Sequence, residues 1–179
     1  MQLLEPRSHR TTGTTFGEVC LAMVVCSLFA AAAFGTNQRL LVALKGQKET
    51  TAATMILQQR MEALRATSFT NVASQDYLTN NIFQYPTSAD TDPSFWQLYQ
   101  QLGNLTEQVA VGVYGDTSQT PIVLNRDAQH ASPQSLSNNS SLTDYPLLQV
   151  DLILQWTSAN GRTRTRTMSG VFGKGNIGP

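Results

Sequence analysis

Hydrophobic and polar positions are unevenly distributed along the chain. TTFGEVCLAMVVCSLFAAAAFG, ending at Gly35, is apolar with one charge, Glu18. A helix from Thr14 to Gly35 rises about 33 Å, enough to cross the hydrocarbon layer once. In the next stretch apolar residues recur at helical spacing through Leu40, Leu41 and Leu44, then Met55, Leu57, Met61 and Leu64. This predicts a helix that runs on to about Thr67 and packs one stripe on a globular domain. Gly46 and the pair Thr50 and Thr51 lower local helix propensity and predict a bend or a looser turn there.

From Ser68 the composition shifts to loop residues, interrupted by DTDPSFWQLYQQLGN. There Asp92 as N-cap, Pro93 in the first turn and Gly103 as terminator predict a short helix carrying Phe95, Trp96, Leu98, Tyr99 and Leu102. Strands are predicted at EQVAVGVYG, TPIVLNR, LLQVDLILQW and TRTRTMSGVF, the last two joined through Asn160 and Gly161, a hairpin signal. DAQHASPQSLSNNSSLTDYP reads as a polar loop. The predicted organisation is a short lead over 1–13, a membrane-spanning helix over 14–36, its continuation over 37–67, a connection with a short helix over 68–105, and an antiparallel sheet over 106–179. The fold class is α+β.

Composition narrows the chemistry. The 179 residues carry no formal net charge, and 13% are charged against 41% apolar, a balance that gives no global attraction to nucleic acid and fits an exported protein. Cys20 and Cys26 both lie in the apolar run, too far apart along a helix for a mutual disulfide. They read as small hydrophobes, and the polar domain has neither a disulfide nor a cysteine metal site. Arg7, His9 and Arg10 precede the run and place that end in the cytoplasm by the positive-inside rule. Unlike an ordinary secretory signal, the small residues and a glycine come before the apolar core.

Glu18 is the unusual residue. An acid at the edge of a membrane segment is a functional suspect, although a first-turn glutamate also complements the positive end of the helix dipole. The order of a short basic leader, Gly13, four residues, Glu18 and then VCLAMVVCSLFAAAAF resembles the N-terminal segment of type IV pilins and pseudopilins. The strand-rich ending with its Asn-Gly turn is similar to the C-terminal sheet of the minor members. The resemblance implies a pilin-like fold, a long helix whose lower half is transmembrane and whose upper half packs on a small antiparallel sheet. It also implies cleavage by a prepilin peptidase between Gly13 and Thr14, N-methylation of Thr14, and Glu18 as the assembly residue that meets the free amine of a neighbouring subunit. Thr14 departs from the phenylalanine usual at the first mature position, and Phe16 follows two places later. The implied partners are the peptidase, other pilin or pseudopilin subunits, the inner-membrane assembly platform and membrane lipid. The implied location is the bacterial inner membrane, single-pass, with the C-terminal domain in the periplasm or an extracellular filament.

Other chemistries find less in the sequence. His9 lies in the leader and His130 alone in a polar loop, and no G-x-S-x-G, H-E-x-x-H or phosphate loop occurs. The reading is not an enzyme, with no cofactor and no metal. Asp116, Asp127, Asp144 and Asp151 offer oxygen ligands for calcium but lack the spacing of a loop site. Arg162, Arg164 and Arg166 alternate with threonines in GRTRTRT, a row that suits either DNA phosphates or the solvated face of an edge strand; DNA is not expected as a partner. Likewise the charges of RMEALR fit a solvated helix face. Two function classes follow: a minor pilin or pseudopilin that joins or primes a filament of a type II secretion or type IV pilus system, or a single-pass membrane-anchored binding module that does not polymerise. An anchor needs neither Gly13 nor Glu18.

Overall fold

Long apolar periodicity and short alternating runs become one long helix and a five-stranded antiparallel sheet. The computed structural model describes residues 15–84, 93–127, 133–137, 139 and 141–175. They form two compact units, one ending at Leu41 and one beginning at Val42. Helix α1 (Phe16–Arg65) starts in the first and ends in the second.

In the first unit the apolar side chains of α1 face outward, among them Phe16, Leu21, Met23, Leu28, Phe29 and Phe34. This stretch is long and apolar enough to cross a membrane. Its hydroxyls find partners within the helix: Ser27 donates to the Met23 carbonyl at 2.7 Å and Thr36 to the Ala32 carbonyl at 2.9 Å. In hydrocarbon an unmet hydroxyl is costly, and these back-bonds meet it without another chain.

In the second unit α1 continues unbroken past Gly46 and the threonines, where a looser turn is predicted. Thr50 and Thr54 each donate to the carbonyl four residues earlier at 2.9 Å, so the hydroxyls are satisfied in helical geometry. The face that packs is Glu49, Ala52, Ala53, Ile56, Leu57, Arg60, Met61 and Leu64. Leu57, Met61 and Leu64 lie on it as expected, but Leu40, Leu41, Leu44 and Met55 are exposed. Ile56, one residue on from Met55, is the position in phase with Ala52, Ala53 and Arg60 on a 3.6-residue turn. RMEALR is likewise corrected: Glu62 and Arg65 are exposed, whereas Arg60 is buried.

After α1 come two short helices, α2 (Phe69–Val72) and α3 (Gln75–Tyr77), and a π-helical turn at Leu78–Ile82. Helix α4 (Pro93–Gln100) is the predicted short helix; Asp92, its expected cap, lies outside the described residues. Strands β1 (Gly103–Val113), β2 (Ile122–Asp127), β3 (Gln134–Ser135), β4 (Leu147–Thr157) and β5 (Thr163–Gly173) follow. Gly103 therefore opens a strand rather than ending a helix. The sheet order is β3-β2-β1-β4-β5. The two-residue β3 falls in the segment predicted as loop and pairs with β2 through Leu124 and Asn125. The β4–β5 hairpin forms where expected, but its turn spans Ser158 to Arg162 with Gly161 at φ 77°, a left-handed backbone suited to glycine.

One face of the sheet presents Leu105, Val109, Val111, Ile122, Leu124, Leu148, Val150, Leu152, Leu154 and Trp156 to the core, where α1 supplies its buried face. At the β5 edge Gly170 leaves room for Met61: a Cβ there would meet the Met61 sulfur at 2.9 Å and Phe172 at 3.4 Å. Gly170→Val is therefore expected to cost roughly 1–3 kcal/mol through overpacking, read as a lowered denaturant midpoint with an unchanged slope. Three polar contacts hold the β4–β5 hairpin to α1. Glu49 accepts from the Ser158 hydroxyl at 2.5 Å and the Ala159 N–H at 3.0 Å, and Arg164 reaches Thr50 Oγ1 at 3.4 Å. Burial would push the Glu49 carboxyl up, but the bonds from Ser158 and Ala159 outweigh it and leave it below the ordinary carboxylate value.

Candidate assembly site and the buried ionic tie

At the start of α1 the sequence Thr15-Phe16-Gly17-Glu18 folds back on itself. The Thr15 N–H donates to Glu18 Oε2 at 3.0 Å, and the Glu18 N–H donates to the Thr15 hydroxyl at 3.4 Å. This is a capping box, each residue satisfying a backbone donor the helix leaves without an intrahelical partner. The acid thus has a local role, more specific than the dipole interaction read from the sequence. T-x-x-E before an apolar run was the signal for it. A carboxylate accepts about four hydrogen bonds, so the cap leaves Glu18 capacity for a further donor. Gly13 and Thr14, the expected cleavage and methylation positions, lie outside the described residues. Cys20 and Cys26 are free thiols on the exposed surface of the apolar stretch.

A second polar site lies inside the domain. Arg60 from α1, Tyr99 from α4, Glu107 from β1 and Arg126 from β2 converge in the core. Each occupies a core-phase position: Glu107 alternates with Leu105 and Val109, Arg126 with Ile122 and Leu124, and Arg60 lies one turn from Ile56 and Leu64. Glu107 takes Arg60 Nε at 3.1 Å on one oxygen, and on the other an Arg126 Nη2 bond and the Tyr99 hydroxyl at 3.2 Å. Arg60 also donates to the Ile82 carbonyl, to Gln84 O at 2.9 Å and to Tyr99 Oη at 3.1 Å, and its guanidinium stands 5.5 Å from the centre of the Phe83 ring. The Arg126 guanidinium lies 5.3 Å from the Tyr99 ring centre.

Electrostatics follow from that packing. Burial would push the Glu107 carboxyl up; the two guanidinium groups outweigh it and hold the acid below its ordinary value. Burial and then the Glu107 charge push the Tyr99 phenol well up. A cavity of about 110 Å³ adjoins the cluster, lined in part by Tyr99, Glu107, Arg126 and Asp127. Most of the cluster's donors and acceptors are directed at one another and at backbone carbonyls, which makes it a tie joining α1, α4 and two strands.

The structure keeps the other candidates apart. Among the described residues no three of His, Cys, Asp or Glu come together. Asp116 accepts from the Ser118 N–H at 2.9 Å and hydroxyl at 2.6 Å, and Asp151 accepts from Gln149. His130 lies outside the described residues. The arginine row does alternate with threonines on β5, an edge strand of the sheet, with Arg162 and Arg166 exposed and Arg164 half-buried. Arg164 and Arg166 sit opposite Trp156 and Leu154 in the register, so they share the sheet face that carries the core. Arg164 lies over Gly46 of α1, where a Cβ would meet its guanidinium at 3.2 Å. Comparison with family models, with characterised proteins and with solved structures gave no match.

Proposed function

We propose that the protein is a pilin-like subunit, a minor pilin or pseudopilin that is processed after Gly13 and joins or primes a filament of a type II secretion or type IV pilus system. The observation that carries this reading is a coincidence within one helix. A glycine stands five positions before Glu18, an apolar stretch able to span a membrane follows, and the same helix then supplies the packing face of an antiparallel domain. In this reading the apolar helix holds the chain in the membrane both before and after the peptidase removes the leader. Cleavage creates a charged amine on Thr14, and a neighbouring Glu18 is its partner in the packed filament. Burial makes that pairing selective, because a helix that enters out of register strands both charges.

Intact-mass measurement of the protein, made with and without a co-expressed prepilin peptidase, tests the proposal. Loss of residues 1–13 is expected only with the peptidase, and Gly13→Val is expected to keep the leader in full. A chain that retains its leader under both conditions is instead a membrane-anchored module that does not polymerise, and one cut beyond Phe34 has lost its apolar stretch and is not processed as a pilin.

A further inference from the structure

Cations collect at one end of the second unit. Lys45 and Lys48 are exposed on α1, and the turn pinned to the same stretch of helix by Glu49 carries exposed Arg162 and leads to half-buried Arg164, which lies over Gly46 and Thr50. Glu49, the acid on this part of the helix, is buried and turned toward Ser158 and Ala159. Residues 36–48 and 157–166 contain no other acid. Glu49 offsets part of the Lys45 charge, and the remaining cations leave the rim net positive.

Its position along the chain gives it a target. In the first unit the apolar stretch from Phe16 to Gly35 covers roughly 29 Å, close to the ~30 Å of a hydrocarbon layer. Arg39, Lys45 and Lys48 follow it along the same helix, all exposed. The geometry points to a lipid-docking edge: Lys45, Lys48, Arg162 and Arg164 bind anionic phospholipid head groups of the leaflet from which α1 emerges. Each cation held near an anionic surface contributes about 1 kcal/mol, over a range set by the Debye length. The inference rests on α1 spanning the membrane and not on polymerisation, so it stands or falls separately from the filament.

The full chain, with Cys20→Ala and Cys26→Ala and a donor dye on Ala159→Cys at the exposed hairpin turn, is reconstituted in phosphatidylcholine vesicles with and without phosphatidylglycerol. Energy transfer to a head-group acceptor reads how often the turn is docked. At low salt phosphatidylglycerol is expected to raise transfer, and high salt to abolish the rise. Lys45→Gln, Lys48→Gln and Arg162→Gln together are expected to lower the docked-to-undocked ratio about a hundredfold, at ~1 kcal/mol per charge. All three side chains are exposed, and circular dichroism checks that the fold is kept. Equal transfer in the two vesicle types at low salt, or an unchanged response in the triple variant, overturns the proposal. So does binding of a short DNA duplex through these three cations while phosphatidylglycerol leaves transfer unchanged, which assigns the rim to nucleic acid.

Discussion

Glu107→Ala is expected to lower the unfolding free energy by roughly 3–5 kcal/mol, because it strands two buried guanidinium groups. Arg60 and Arg126 are both buried and both bond to Glu107, so neither regains water when the acid is lost. Against a typical stability of about 5–15 kcal/mol, the variant should be largely unfolded or unfold at low denaturant. Trp156 is buried in the same core, and its fluorescence in a urea titration of the detergent-solubilised chain reads the change. Replacing the whole tie is expected to be much milder: Glu107→Leu with Arg60→Met and Arg126→Met leaves no charge stranded, and such swaps are often neutral or stabilising. A triple variant as damaged as Glu107→Ala would show that the loss comes from shape and not from charge.

The same site sets a pH dependence. Glu107 has its pKa lowered on folding from an ordinary 4.5. Its contribution is therefore fully present above that value and is lost as pH falls through the lower, folded-state value. Glu49 is shifted in the same direction and acts in the same window. Stability should fall on acidification below about 4.5, and Glu107→Gln should flatten that fall.

The second large effect concerns Glu18, where two roles overlap. Within one chain its carboxylate caps the helix through the Thr15 N–H; in the proposed filament it also neutralises the Thr14 amine of a neighbour. Glu18→Gln separates them, since a glutamine oxygen still accepts the Thr15 bond but carries no charge. Loss of one partner of a buried pair costs about 3–5 kcal/mol, a factor of several hundred or more in an association constant. Glu18→Gln and Glu18→Ala should therefore both abolish crosslinking between sister subunits in membranes at matched expression, while both chains still insert and lose their leader. Crosslinking kept by Glu18→Gln but lost by Glu18→Ala would make the residue a helix cap only. Wild-type levels in both would remove it from assembly altogether.

Secondary structure was legible where the periodic signal was long. The helix ran to Arg65 against a predicted Thr67, and four strands lay within a few residues of their predicted limits, because alternation there is sustained by aliphatic residues such as Val109, Val111, Leu152 and Leu154. β3 was not legible, since two residues in a serine-rich stretch hold no period. The capping role of Glu18 was written in Thr15-x-x-Glu18, but the reading stopped at the helix dipole. The ionic tie was missed for a different reason. Arg60, Glu107 and Arg126 each occupy an apolar-phase position, yet a charge in such a position is normally at a surface. Only their meeting makes burial tolerable, and it joins positions 47 and 19 residues apart in the chain. GRTRTRT was legible in part: its alternation and its exposed edge position were read, but that Arg164 meets the helix depended on the register of β5 with Trp156.

That separation along the chain also bears on the order of folding. Synthesis delivers Arg60 first, then Glu107, and Arg126 last, so a chain crossing the membrane from its N-terminus has the docking face of α1 ready long before the acid that anchors it. Local helix forms within microseconds and loops of this length close fast, but Glu107 gains its second cation only when β2 has emerged. Until then an arginine is better left in water than in a half-built core. The Ser158–Arg162 turn, which fastens to Glu49, is made after all three of these residues.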